Sequence, residues 1–253
     1  MIEKLVRKFL YYPLVLRKEE PIPPYASGAE EVWIKSADGN DIHGLHWKAK
    51  EDRPTLLYLH GNAQSVYEWA LVREELLALD CGMLLIDYPG YGKSSGTPTE
   101  SSLYAAGHAA LEWLTGAQNI AEKEILVLGK SLGGGVTCEI LQGKTIKGVI
   151  LESTFSSIPA VASKLIPEPI EGMIFKTERY DSVLKVPKIN SPILIVHGTA
   201  DELIPFAEAE KLYDAASEPK KIYSVQGGHH NDVSMVAGAE YGLKLRQWLD
   251  GLV

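Results

Sequence analysis

Cysteine is nearly absent from this chain of 253 residues, which carries only Cys81 and Cys138. No disulfide framework can therefore support it, and no C-x-x-C pair or Cys/His cluster with ligand spacing offers a metal site. Cys81 precedes an apolar run and Cys138 sits in a helix-compatible stretch, so both read as buried free thiols. His43 and His46 fall on an expected strand, where positions three apart face opposite sides, which argues against a metal pair. Positive charge is also in short supply. Lys+Arg 25 against Asp+Glu 33 leaves a formal charge of -8, which argues against general affinity for nucleic acid. Long apolar runs are missing too: nothing approaches the roughly 20 residues of a membrane span. No small-residue cleavage site follows a continuous apolar N-terminal run, so the expected location is cytoplasmic.

What the chain has is a regular alternation of short apolar runs with helix-compatible stretches. Glu31 to Ser36 and Ile42 to Lys48 flank Asp38-Gly39-Asn40, a strong turn signal, and are expected to form an antiparallel hairpin. Strands are then expected at Thr55 to Leu59, Met83 to Ile86, Ile125 to Leu128, Gly148 to Leu151, Ile193 to Val196 and Ile222 to Val225. Such alternation implies right-handed crossovers and an α/β fold, with a mainly parallel central sheet covered by helices on both faces. Residues 30–253 read as one domain, long for an average domain but within the range of α/β folds. Loops at the strand C-terminal ends converge on one edge of such a sheet.

One of those loops carries a nucleophile. Ser131 sits in Gly129-Lys130-Ser131-Leu132-Gly133, directly after the run Ile125 to Leu128 and before the helix-compatible stretch Leu132 to Leu141. A strand that turns sharply into a helix exposes the serine Oγ, and a Cβ at either flanking glycine would crowd the turn. The N–H groups of the following helix point at the reaction centre. Such a serine needs a base and an acid, and both follow it. Asp201 lies in the loop after the run Pro192 to Val196, with Glu152, after Gly148 to Leu151, as the competing carboxylate. His229 and His230 lie in a glycine-loosened loop after Lys221 to Val225, and one of them is the expected general base. His230 is favoured because Asn231 and Asp232 look like a helix cap that pins it. The oxyanion hole needs two backbone donors. The N–H of Leu132 is one, and the N–H of Asn62 in His60-Gly61-Asn62-Ala63 is the other, with Gly61 allowing the chain to turn close to the substrate.

Together with Asp87-Tyr88-Pro89-Gly90-Tyr91-Gly92-Lys93-Ser94, His197-Gly198-Thr199-Ala200-Asp201 and His230-Asn231-Asp232, these motifs resemble the α/β-hydrolases. The resemblance spans about residues 30–250 and is greatest to the small-lid serine hydrolases that include the abhydrolase-domain esterases and thioesterases. It implies a serine hydrolase without a cofactor, and by matching His-Asn-Asp it places the base at His230. Substrate it leaves open, since that branch contains carboxylesterases and acyl-thioesterases alike.

Two segments stand outside the alternation. Residues 154–190 contain Pro159, Pro167, Pro169 and Pro187 and are expected to form a small lid using Phe155, Ile158, Leu165, Ile166, Met173, Ile174 and Phe175. A modest, partly open acyl pocket follows, suited to short or medium chains. Residues 1–18 are expected to form an amphipathic helix, with Ile2, Leu5, Val6, Phe9 and Leu10 at helical spacing and Lys4, Arg7 and Lys8 opposite. Such a helix either docks on the domain or lies at an anionic membrane surface, a peripheral contact. The expectation is a carboxylesterase acting on a small-molecule ester, with thioesterase action as the enzymatic alternative and a non-catalytic binding module as the alternative of another class.

Overall fold

The computed structural model describes residues 10–165 and 177–252. Eight strands form one sheet in the order β1-β2-β4-β3-β5-β6-β7-β8. They are β1 (Glu30–Lys35), β2 (Asp41–Trp47), β3 (Thr55–Leu59), β4 (Gly82–Ile86), β5 (Ile125–Lys130), β6 (Gly148–Glu152), β7 (Ile193–Gly198) and β8 (Lys220–Val225). The hairpin forms where the turn signal places it: β1 and β2 pair antiparallel from Glu30 opposite His46 to Lys35 opposite Asp41, and Gly39 takes the left-handed φ of +86°. Strand β2 pairs antiparallel with β4, and every pairing from β4 through β8 is parallel.

Strands β3 to β7 are buried along their whole length, as continuous apolar runs in a parallel sheet require. Alternate side chains go to opposite cores. Leu57, Leu59, Leu84, Ile86 and Val127 join one cluster with Leu103, Ala106, Val136 and Leu212. Leu56, Tyr58, Met83, Leu85 and Leu126 join the other with Val66, Tyr241, Leu245 and Trp248. Those partners lie on α1 (Val66–Trp69), α2 (Glu100–Glu112), α3 (Leu132–Ile140), α4 (Phe206–Ala215) and α5 (Ala239–Asp250). Helices thus cover both faces. Because β4 lies on one side of β3 and β5 on the other, the loops leaving β3 and β5 diverge and open a crevice at the strand C-terminal ends.

The N-terminal expectation needs correction. Leu10 is helical, but residues 11–18 are not: isolated bridges join Pro13 to Gln64 and Val15 to Gly92, and a turn follows at Lys18. Pro13 lacks the N–H that a continuing helix needs. Leu10 and Tyr11 are buried in the first core cluster, so this part of the segment is docked on the domain. Residues 1–9, and with them Ile2, Lys4, Leu5, Val6, Arg7, Lys8 and Phe9, lie outside the described residues. In the expected lid region a helix runs from Ile158 to Leu165 with Pro159 in its first turn, where the missing N–H costs nothing. Phe155 and Ile158 are buried. Ile166, Met173, Ile174, Phe175 and the side chain of Leu165 lie outside what is described.

Candidate active site

Ser131 follows the last residue of β5 and caps α3 with φ 52° and ψ -114°, a conformation that costs a non-glycine residue about 1–3 kcal/mol. The surroundings over-determine it. Its N–H donates to the Glu152 carbonyl at 2.8 Å, and its carbonyl accepts from the Thr154 hydroxyl at 2.6 Å and from the Gly134 N–H at 3.0 Å. The flanking glycines are required by contact: a Cβ on Gly133 would sit 1.9 Å from the Leu59 carbonyl oxygen, and one on Gly129 would sit 2.3 Å from Thr137 Oγ1. The helix can start this close to β3 only without those side chains.

His230 reaches Ser131 from the loop after β8. Its Nδ1 lies 2.8 Å from Asp201 Oδ2 and its Nε2 lies 3.1 Å from Ser131 Oγ. A carboxylate only accepts, so Nδ1 carries the hydrogen and Nε2 is left as the acceptor for the serine hydroxyl. Asp201 is held in turn by its own loop: Oδ1 accepts the N–H groups of Leu203 and Ile204 at 2.9 and 2.8 Å. Burial acts to raise its pKa, but hydrogen bonds from His197 and His230 outweigh that and hold the carboxyl well below the usual carboxylate range. It stays ionised beside the imidazole.

The competing residues go elsewhere. His229 is half-exposed and places Nδ1 2.8 Å from Glu202 Oε1, which raises its pKa. Glu152 is buried against Lys130, with Oε1 2.5 Å from Nζ, and also accepts from the Tyr241 hydroxyl. Burial acts to raise the Glu152 pKa, and the Lys130 ammonium outweighs it and lowers it. The expected cap also differs in detail. Asp232 stands at the N-cap of the short helix Val233–Ala237 but makes no side-chain cap bond, and Oδ1 accepts the His229 N–H at 2.6 Å instead.

Asn62 and Leu132 line the same cavity as Ser131 and His230. The N–H of Leu132 opens α3 and so has no intrahelical acceptor. In the loop after β3 the left-handed residues are Ala63 and Gln64, with φ of 66° and 65°, and not Gly61. A Cβ on Gly61 would meet Ser131 Cβ at 3.5 Å, an ordinary contact, so the expected role for this glycine moves to its neighbours. The loop then enters α1 through a capping box in which Ser65 Oγ accepts from Tyr67 N–H and Glu68 accepts from Ser65 N–H. The cavity measures about 700 Å³, a volume typical of small-molecule sites. Leu10, Tyr12, Trp69, Phe155, Ile158 and Leu203 supply apolar walls, and Gln64, Glu75, Lys130 and Asn231 polar ones.

Some contributors escape a reading of the sequence. His197 is buried with Nε2 donating to the Ile204 carbonyl at 2.8 Å and lying 3.3 Å from Asp201 Oδ2. It supports the Asp201 carboxylate, and only its position four residues before Asp201 hinted at that. Asp87, within Asp87-Tyr88-Pro89-Gly90, accepts from His43 Nδ1 and from the Val66 N–H, both at 2.9 Å, and so ties the end of β4 to the start of α1. His60 is buried between Trp69, Tyr88 and Tyr91, and burial lowers its pKa. It is a neutral support for the loop. Among the described residues no group of three His, Cys, Asp or Glu is placed to hold a metal ion, and no helix is long and apolar enough to cross a membrane.

Comparison with known proteins places this geometry in a context. A family model described as alpha/beta hydrolase fold matches residues 54–172, and one described as Serine hydrolase (FSH1) matches residues 118–231, a span holding Ser131, Asp201 and His230. The protein YfhR of Escherichia coli O157:H7 is 30% identical over 244 residues, covering 92% of this chain and 82% of that protein. The alpha/beta hydrolase domain-containing protein WAV2 of Arabidopsis thaliana is 28% identical over 267 residues, covering 96% of this chain and 87% of that protein. Among solved structures, the Pyrococcus furiosus esterase Pf2001 superposes with a TM-score of 0.74 at 20% identity, covering 95% of this chain and 97% of that one. An alpha-beta hydrolase from Vibrio vulnificus superposes with a TM-score of 0.70 at 23% identity, covering 89% of this chain and 82% of that one.

Proposed function

We propose that this chain, which belongs to the α/β-hydrolase superfamily of serine hydrolases, cleaves carboxylic esters of short or medium acyl chain through an acyl-enzyme on Ser131. The observation that carries the reading is His230 spanning Asp201 and Ser131 at 2.8 and 3.1 Å. Ser131 Oγ attacks the ester carbonyl while His230 Nε2 takes its proton. The oxyanion is received by the backbone N–H groups of Asn62 and Leu132, and Asp201 stabilises the imidazolium. Collapse breaks the bond to the alkoxy oxygen, which leaves as the alcohol with the proton from His230. Water then gives a proton to His230 and attacks the acyl-enzyme, and the acid departs as the proton returns to Ser131.

The apolar cavity walls favour an acyl group, and the cavity volume of about 700 Å³ accommodates a short or medium chain. A fluorophosphonate probe tests the nucleophile, because it labels only an activated serine. The wild-type protein is expected to be labelled and to hydrolyse p-nitrophenyl butyrate, and Ser131→Ala to lose both, with turnover falling on the order of 10⁶-fold. Labelling of the alanine variant at the wild-type rate would rule out Ser131.

A second reading, an acyl-thioesterase peripheral to a membrane, is favoured by exposed Tyr12 at the cavity, by exposed Leu14 and Val15 next in the chain, and by Lys4, Arg7, Lys8, Arg17 and Lys18 in the same stretch of sequence. Its test is sedimentation with vesicles of anionic lipid, compared between the full chain and one lacking residues 1–9. Failure of the full chain to sediment with the vesicles would remove the membrane part of this reading, and equal binding by the two would move the contact to residues 12–18.

A further inference from the structure

Residues 11–16 form a strap along the catalytic edge, held largely by main-chain bonds. The Gly92 N–H donates to the Leu14 carbonyl at 2.7 Å and the Leu16 N–H to the Gly92 carbonyl at 2.8 Å. At the cavity the strap meets the side chain of Asn62. Asn62 Nδ2 donates to the Leu10 carbonyl at 2.6 Å, and Oδ1 accepts the Tyr12 N–H at 3.0 Å. By taking both a carbonyl and the N–H two residues on, this amide bonds the strap as the peptide group of a neighbouring strand would. Oδ1 also accepts the Ala63 N–H at 2.9 Å and the Tyr91 hydroxyl at 2.7 Å. One side chain thus joins the strap, the loop after β3 and the Asp87–Ser94 turn.

That loop is strained. Ala63 and Gln64 are left-handed without being glycine, and such residues persist only where their surroundings over-determine them. The Asn62 amide and the strap supply that constraint. The strap's side chains add a second role: Leu10 and Tyr12 line the cavity, while Tyr11 goes the other way and is buried. The Tyr11 hydroxyl donates to Glu178 at 2.5 Å and lies 2.7 Å from the Tyr180 hydroxyl. Burial, with these neighbours, pushes the Tyr11 pKa well up, so the hydroxyl remains a donor.

We propose that residues 10–12 are a working wall of the active site: through the Asn62 side chain they position the Asn62 N–H that receives the oxyanion, and through Leu10 and Tyr12 they limit the acyl chain. This rests on Ser131 being the nucleophile. Asn62 acts here as a positioning residue by its side chain, and Tyr12 as a specificity residue. Displacing an oxyanion donor impairs the transition state more than the ground state.

The test uses the full-length protein with Asn62→Ala, Asn62→Asp, Tyr12→Ala and Tyr12→Trp, assayed on p-nitrophenyl esters of graded chain length. For Asn62→Ala, kcat is expected to fall by about 10- to 100-fold with KM within about threefold, while the thermal midpoint shows that the fold persists. Asn62→Asp keeps the acceptor bonds but sets a carboxylate oxygen against the Leu10 carbonyl in place of the donor, so it serves where the alanine variant fails to fold, and its kcat is expected to fall as well. A folded variant at either step with wild-type kcat overturns the positioning role. Tyr12 is 53% exposed, so its replacements spare the core. Tyr12→Ala is expected to shift the preferred chain longer and Tyr12→Trp shorter, and profiles identical to wild type overturn the wall. A wild-type protein that is neither labelled by fluorophosphonate nor active on any ester overturns the nucleophile and the strap together. Labelled wild type with indifferent variants overturns the strap alone.

Discussion

Replacing Asp201 by asparagine exchanges one oxygen for an NH2 group, and the surrounding bonds dictate which. Leu203 and Ile204 both donate to Oδ1 at 2.9 and 2.8 Å, so the amide oxygen must take that position. The NH2 group then faces His230 Nδ1, 2.8 Å away. Two donors cannot share that contact, and the imidazole is driven to the tautomer with hydrogen on Nε2. His230 then presents a donor to Ser131 Oγ and cannot take its proton. The expected loss in kcat is about 10⁴-fold, as for the same exchange in other triads, or roughly 5.5 kcal/mol at 1.36 kcal/mol per decade. Steady-state kinetics on p-nitrophenyl butyrate with wild type and Asp201→Asn measures it. A variant that retains more than a tenth of the wild-type kcat refutes the tautomer argument. The same carboxyl links stability to pH. Its folded pKa lies below the unfolded value of about 3.9, so its contribution is fully present above that value and is lost as pH falls through the folded one. The stability difference between wild type and Asp201→Asn in urea is therefore expected to shrink below about pH 4.

His230→Ala is expected to remove nearly all turnover and His229→Ala to cost less than about threefold, since His229 Nδ1 is engaged by Glu202 and takes no part in proton transfer; kcat of the two variants decides it, and the reverse order would move the base. Glu152→Gln is expected to act on stability more than on chemistry, because it leaves the buried Lys130 ammonium without its counter-charge. A loss of about 3 kcal/mol in urea unfolding at pH 7 is expected, with kcat reduced far less than in Asp201→Asn.

Periodicity and turn chemistry made the hairpin and the parallel strands legible, because both are short-range. The Asp38-Gly39-Asn40 turn between two strand-forming runs specifies β1 and β2 from neighbours in the chain alone. The same holds for the turn at Ser131, whose glycines at 129 and 133 mark a close approach that any side chain would prevent. The helix expected over residues 1–18 misled for a related reason. Only its last part is described: Leu10 and Tyr11 join the core, and main-chain partners at residues 64 and 92 draw the following residues out of any helical path.

Contacts between distant segments obey no local rule. His229 and His230 are adjacent and alike in sequence, yet one faces Glu202 and the other spans 99 residues to Ser131. Asp201 follows a buried strand and Glu152 ends one, but Lys130 on the neighbouring strand engages Glu152, while His197 and two backbone N–H groups orient Asp201 toward His230. Which carboxylate meets which cation depends on strand order, and strand order depends on how the helices cover the two faces. The chain's local preferences were enough for strands, turns and a serine at a sharp bend. The pairing of charges, the strain at Ala63 and Gln64 and the strap across the cavity arise only when segments far apart compete for the same space and the same hydrogen-bond partners.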